Sequence, residues 1–376
     1  MSETSLSLGP EHPVPTPTTP KRVLVLWADD SSPNLGVRVL GRGTAAIIDG
    51  VWPGAEVVFQ NYGHRAPQLP FGRLRSLAKE RVTGTLGMQR WLAGHDLVID
   101  TRSGDSFADI YGLRRLATMS AVAELASQAG VPVVLGPQTI GPFGGRAART
   151  LARRSLRRAS LVMARDSASA DCAAELGRPV DVLTTDAVFA LPVPTVDKTR
   201  DVVLNVSGLL WNENPHVAAA HYREVVTRLH RRLSSFGRRI TLLAHVIDAS
   251  AADTDVRAAE EFARMVAPDA EIIIPADLDQ VREVVGSARL VIGSRMHACL
   301  NALSVGTPAI PLAYSRKFEP LMRDLGWHHT VQLNDDDPVQ RVLRELTSPG
   351  LPAAVRDVVD RAHHSLESAR EALAAL

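Results

Sequence analysis

The sequence predicts an α/β protein of two Rossmann-like domains, each built on a parallel sheet, with a central cleft between them. Short runs rich in Val, Ile and Leu alternate along the chain with longer stretches of helical spacing, the pattern of buried parallel strands joined by crossover helices. The chain has 376 residues, more than the roughly 250–300 residues over which a single hydrophobic core keeps growing. A stretch broken by proline and charge, "LPVPTVDKTR" at 191–200, interrupts every apolar pattern and divides the strand runs into two sets.

In chain order, the first set is "RVLVLWA", "AEVVFQ", "DLVID", "VPVVLG" and "SLVMAR". The second set is "DVVLNVS", "RITLLAHV", "AEIIIP" and "ARLVIG", followed by the extended "AIPLAY". Each is a near-continuous apolar run of strand length, as expected where both faces of a sheet are covered. The domain reading is therefore a tail at 1–20, a first domain at 21–190, a linker at 191–200, a second domain at 201–349 and a C-terminal helix at 350–376. The tail, "MSETSLSLGPEHPVPTPTTP", is rich in Pro, Ser and Thr and lacks the basic start and apolar core of a secretory signal, so it is expected to be disordered. The last segment, "AAVRDVVDRAHHSLESAREALAAL", carries Ala and Leu at helical spacing and is expected to pack back on the first domain.

Composition narrows the function. A net charge of +1 with 22% charged residues does not fit a general nucleic-acid binder, which concentrates positive charge. The two cysteines, Cys172 and Cys299, lie in expected helices and imply no disulfide framework, which fits a cytoplasmic protein. No apolar run reaches the ~20 residues that span a bilayer, so any membrane contact is peripheral, at the inner face. Nothing in the sequence specifies an oligomeric state. No G-x-G-x-x-G follows the first strand, which removes the dinucleotide fingerprint, and no zinc-type ligand spacing occurs; neither cofactor nor metal is expected.

The unusual residues cluster after strands, where ligands bind in open parallel sheets. "TRSGDSFADIYG" at 101–112 places Asp105 and Asp109 in a glycine-containing loop, and "PQTIGPF" at 137–143 forms a stiff corner presenting Gln138. After "SLVMA", Ser167 is the expected N-cap of the next helix, with Arg165 just outside it. A cation disfavours the positive end of a helix, so Arg165 implies an anion nearby. "GSRMHA" at 293–298 repeats the arrangement, with Ser294 as cap and Arg295 and His297 on the first turn. Free N–H groups and two cationic side chains then point at one anion. Arg316, after "AIPLAY", reads as an ordinary surface residue.

These residues resemble the polysaccharide pyruvyl transferase family. The resemblance is carried by "GPQTIGPF", by "ARDSASADCAAELG" with the later "TDAVFAL", and above all by "VIGSRMHACLNALSVGTPAIPLAYSRKFEPLMRDLGW". In the last block Arg295, His297, Gly306, Thr307, Pro308, Tyr314, Lys317 and Gly326 match the family pattern. The early family motif N-x-G-D appears as "NLGV", with Val37 where aspartate is usual, which lowers the expected role of that loop. The resemblance implies a fold like that of the B-type glycosyltransferases and transfer of a pyruvyl group from phosphoenolpyruvate to two sugar hydroxyls as a cyclic ketal. It implies donor contacts by Arg295, His297, Arg165 and Lys317, with Gln138, Asp105 and Asp109 on the acceptor side. His297 is then the expected acid, Asp105 the base, and the arginines the groups that stabilise departing phosphate. The acceptor is expected to be a sugar or lipid-linked saccharide of the cell envelope. A nucleotide-sugar glycosyltransferase of the same architecture is the alternative, with Glu319 in the position of a ribose ligand; a non-catalytic sugar- or anion-binding relative is a third reading.

Overall fold

A computed structural model describes residues 19–62, 69–248 and 253–376, so most of the expected tail at 1–20 lies outside the described residues. The first sheet contains β1 (Arg22–Leu26), β2 (Glu56–Gln60), β3 (Leu97–Asp100), β4 (Val133–Leu135), β5 (Leu161–Ala164) and β6 (Val182–Leu183) in the order β2-β1-β3-β4-β5-β6. The second contains β7 (Arg200–Asn205), β8 (Ile240–Leu243), β9 (Glu271–Ile273), β10 (Ala288–Gly293), β11 (Ala309–Ala313) and β12 (Val331–Gln332) in the order β12-β11-β10-β7-β8-β9. Every pairing is parallel. The central strands are buried along nearly their whole length, which is why they read as unbroken apolar runs.

Two edge strands, β6 and β12, were not anticipated, because two residues are too few to show a period. Residues 192–199 form neither helix nor strand, and Arg200, placed in the linker by the sequence, is the first residue of β7.

The C-terminal helix Leu351–Ala374 buries Leu351, Val355, Val358, Ala362, Leu366, Ala369 and Leu373, one stripe at spacings of three and four. It lies against β5, β6 and the helix Leu35–Val51 of the first half, and also against the helix Met296–Ser304 of the second. One apolar cluster therefore runs through both halves.

Each sheet has a topological switch point where successive connections leave in opposite directions: between β1 and β3 in the first, and between β7 and β10 in the second. The segment after β1 meets the segment after β8 across the molecule. Leu35 donates its N–H to the carbonyl of His245, Ile247 donates to Pro33, and Asn34 forms a bridge with Val246.

Candidate active site

Arg295 follows β10. Its N–H donates to Asn205 Oδ1 at 2.9 Å, and its guanidinium donates to Asp255 Oδ1 from Nε at 3.0 Å and from Nη2 at 2.8 Å. Nη2 also reaches the carbonyl of Asp253 at 2.6 Å. Asp255 is fully buried and accepts further bonds from the backbone N–H groups of Gly208, His245 and Val246. Burial works against the charge of Arg295, and Asp255 more than restores it, so its pKa is raised above the ordinary value. Arg295 is thus an internal strut, holding the β8–β9 connection to the start of the helix Met296–Ser304.

Ser294 does not cap that helix. The N-cap position belongs to Arg295, without a side-chain cap, and the buried Ser294 hydroxyl pairs instead with Tyr222 Oη at 2.9 Å. Ser167 is displaced likewise: Asp166 is the N-cap, accepting from the N–H of Ser169. Asp166 points toward the positive helix end, as a negative side chain favours.

His297 sits in the first turn of the helix with its side chain 16% exposed, and its Nε2 lies 3.5 Å from Asp186 Oδ2. The same oxygen accepts from Arg165 Nη1 at 2.8 Å, and Arg165 Nε donates to Thr139 Oγ1 at 3.0 Å. Arg165 is buried, so the anion that the sequence placed beside it is supplied by the chain itself, as Asp186. Burial pushes the Asp186 carboxyl up, but His297 and Arg165 outweigh it and hold the group well below the usual carboxylate range.

His297 packs on the start of the helix Leu35–Val51, which the expected loop "NLGV" forms together with its N-cap Asn34. A Cβ on Gly36 would stand 2.8 Å from His297 Nδ1, so only glycine leaves room for the ring. The loop expected to lose its role is therefore the floor under His297, whatever Val37 does. Behind the ring, His245 is fully buried; burial first, then nearby His297, depress it to about 3.

Asp105 and Lys317 join the halves a second time. Lys317 Nζ donates to Asp105 Oδ2 at 2.8 Å, and Tyr111 Oη donates to the same oxygen at 2.7 Å. Burial raises the Asp105 carboxyl, yet Lys317 and Tyr111 pull it down to about 2. Both side chains keep solvent access, at 22% and 25%, unlike the Arg165–Asp186 pair at 1% and 0%.

Gln138 is completely buried after β4, and neither its amide nitrogen nor its amide oxygen has a hydrogen-bond partner. A buried amide with both ends unpaired is costly and calls for a missing partner. Asp109, by contrast, is occupied: its carboxylate accepts from the N–H groups of Gly144 and Gly145 at 2.8 and 3.1 Å, anchoring the loop before the helix Arg146–Arg158. Arg316 is not a plain surface residue, since its guanidinium donates to the carbonyl of Gly141 in the first half. Glu319 is exposed on the helix Phe318–Asp324. Among the described residues no group of three or more His, Cys, Asp and Glu side chains is placed to hold a metal ion.

His297, Arg165, Asp186, Asp105 and Lys317 thus converge from the carboxyl ends of both sheets. Asp186, Asp255 and Gly36 escaped the sequence reading of the site. Asp186 had a signal, as an acid opening "DAVFAL" after a strand end; Asp255 had none, being one of several acids in an amphipathic helix. Two hollows, of about 340 Å³ behind the helix Leu113–Gln128 and 490 Å³ at the amino edge of β7–β9, touch none of the five converging residues.

Two parallel-sheet α/β domains meeting through the carboxyl ends of their strands, with ionisable side chains from both, define the B-type glycosyltransferase architecture. Solved structures share it at low identity. The Staphylococcus aureus MnaA–UDP structure matches with a TM-score of 0.55 and 11% identity, over 90% of this chain and 91% of that one. A putative UDP-N-acetylglucosamine 2-epimerase from Listeria monocytogenes matches with a TM-score of 0.55 and 10% identity, over 92% and 94%. Anabaena HepE in complex with UDP-glucose matches with a TM-score of 0.53 and 11% identity, over 94% and 100%. The family is given by the sequence itself: the model for polysaccharide pyruvyl transferases matches residues 34–316, and the chain belongs to that family.

Proposed function

We propose that the protein transfers a pyruvyl group from phosphoenolpyruvate to two hydroxyls of a sugar, forming a cyclic ketal and releasing phosphate. The observation that carries this reading is the Asp105–Lys317 ion pair, a partly solvated base and cation from opposite halves, both within electrostatic reach of Arg165. Phosphoenolpyruvate presents a carboxylate and a phosphate on a very small body, and cations at a strand–helix junction suit it. Arg165 and Arg295 are committed to Asp186 and Asp255. Lys317 is the cation that an incoming anion can recruit by displacing a surface-accessible partner.

That exchange has a chemical consequence. With Lys317 on the donor phosphate, Asp105 loses the counterion that holds it at about 2 and becomes a stronger base. It takes the proton of the first sugar hydroxyl as that oxygen attacks C2 of the donor. The methylene carbon receives a proton from His297, becoming the methyl group. The second hydroxyl then attacks C2, the C2–O bond to phosphate breaks, and the remaining proton leaves with phosphate or solvent. Lys317 and the Arg165–Asp186–His297 group stabilise the departing phosphate. Gln138, unpaired and buried, is the candidate ligand for a sugar hydroxyl or the donor carboxylate. No cofactor enters this scheme, and the acceptor is a sugar or lipid-linked saccharide.

The test is incubation with phosphoenolpyruvate and a panel of saccharide acceptors, following phosphate release and product mass. A pyruvyl ketal is the expected product. A vinyl ether on one oxygen would mean enolpyruvyl transfer without ring closure, and turnover of sugar nucleotides alone would replace this reading with glycosyl transfer.

A further inference from the structure

The helix Arg146–Arg158 has the sequence RAARTLARRSLRR, six arginines and no acid in 13 residues, in a chain whose net charge is only +1. Its inner face is Ala148, Ala152 and Leu156, all buried. On the outer side Arg154 and Arg158 share Glu124 of the neighbouring helix, whereas Arg146, Arg149, Arg153 and Arg157 have no carboxylate partner among the described residues. Arg114, exposed at the start of the helix Leu113–Gln128, is unpartnered in the same sense.

A second feature adjoins this one. Ile110, Tyr111 and Leu113 are exposed by 59%, 46% and 46%, three large apolar side chains within four positions. They are held next to the arginine helix, because Asp109 bonds the N–H groups of Gly144 and Gly145 directly before it, and its own N–H donates to Pro142. The rim of the first domain thus combines protruding apolar side chains with five uncompensated guanidinium groups. A soluble polyanion would engage the arginines and leave Ile110 and Leu113 in water. The boundary between anionic headgroups and acyl chains takes both.

We infer that this rim docks the protein on an anionic phospholipid surface, with Ile110, Tyr111 and Leu113 entering the headgroup layer and the arginine helix lying on it. Tyr111 is also the residue whose hydroxyl bonds Asp105, so the docked rim lies at the acceptor side of the site. Tyr111 apart, the surface is distinct from the catalytic groups, and its test replaces only residues outside them and does not depend on the reaction.

The experiment is flotation of the full chain with vesicles of phosphatidylcholine, with and without phosphatidylglycerol. Wild type is expected to float with the anionic vesicles and not with the neutral ones. Replacing Arg146, Arg153 and Arg157 by Gln should weaken binding roughly a hundredfold, at about fivefold per arginine. The pair Ile110→Ser and Leu113→Ser should remove the binding that survives high salt. If the triple variant melts early, Arg153→Gln alone is read for a loss of about fivefold. Absence of flotation, equal flotation on neutral vesicles, or variants that bind like wild type would overturn the inference. Binding of dextran sulfate without vesicle binding would overturn it too, assigning the arginines to a soluble polyanion.

Discussion

His297 is bounded on three sides: Gly36 lies below the ring, Asp186 Oδ2 stands 3.5 Å from Nε2, and the His297 carbonyl accepts from Asn301 Nδ2 at 2.7 Å. The proton donor of the proposed scheme needs such fixity. His297→Gln is expected to lower turnover by ~10²–10⁴, the usual worth of a positioned general acid, with little change in melting temperature. Normal turnover in a folded variant would take His297 out of the reaction. Gly36→Ala is a finer probe, since its methyl would intrude on Nδ1. It should reduce activity while circular dichroism and melting stay near wild type; an unaffected enzyme would show that the ring can shift without consequence. Beneath them, His245 titrates in the unfolded chain near 6.5 but in the folded chain at about 3. Between those values the unfolded state binds a proton that the folded state refuses. The stability His245 contributes is therefore complete above about 6.5 and is lost as the pH falls toward 3. His95 and His230, also lowered by burial, act in the same direction. In a melting series from pH 7 to 4, His245→Asn should flatten the slope without abolishing it, and an unchanged slope would refute the assignment.

Among the elements, the short turn Ala187–Ala190 and the helix Ser167–Glu175 show how ends of secondary structure become parts of a site. Asp186 caps the first through Oδ1, at 3.0 Å from the N–H of Val188, while Oδ2 serves Arg165 and His297. One carboxylate thus terminates an element and pairs a buried cation. Asp186→Asn leaves the Arg165 guanidinium buried without its counter-charge, a loss of about 3–5 kcal/mol for a broken buried pair. Chemical denaturation should report that loss together with lost activity; near-native stability would mean that Arg165 reaches solvent or another acid. The helix Ser167–Glu175 receives Asp324 of the second half on the N–H and hydroxyl of Ser167, a carboxylate at a positive helix end. The C-terminal helix is a third such joint. Leu366 is completely buried in its stripe, and Leu366→Ala should cost about 2–5 kcal/mol through lost contacts and a residual cavity. The same loss from Glu367→Ala, which is exposed, would refute the packing argument.

At the scale of the molecule, a ligand bridging the two halves should stabilise them together. Phosphoenolpyruvate is expected to raise the melting temperature, with about 2.7 kcal/mol of stabilisation at a hundredfold excess over Kd. UDP- and GDP-sugars should do so weakly. The reverse order would favour the nucleotide-sugar alternative. In heavy water, the ketal should carry about one deuterium in its methyl group, because the proton given to the methylene carbon exchanges with solvent. Activity should survive EDTA, since Lys317 and His297 neutralise phosphate in this scheme; loss restored by one divalent ion would direct attention to Asp105, Asp109 and Asp186.

The strands other than β6 and β12, the fold class and the "SRMHA" junction were legible in the sequence because they are local. An apolar run announces a buried strand wherever it ends up, and residues just after it sit at a sheet's carboxyl end by connectivity alone. The partners of the charged groups were not legible. Arg165 finds Asp186, 21 residues away; Arg295 finds Asp255, 40 away; Lys317 finds Asp105, 212 away. Such pairings depend on how two separately wound sheets face each other, and no spacing encodes that. The cap positions of Ser294 and Ser167 were misplaced by one residue for a related reason: a serine is a good cap locally, but Tyr222 and Asp324 claimed their hydroxyls from elsewhere in the fold. The sequence alone determined which residue types would gather at the strand ends. Tertiary packing decided which of them are spent on one another and which remain for a substrate, because burial makes an unpaired charge too costly to leave alone.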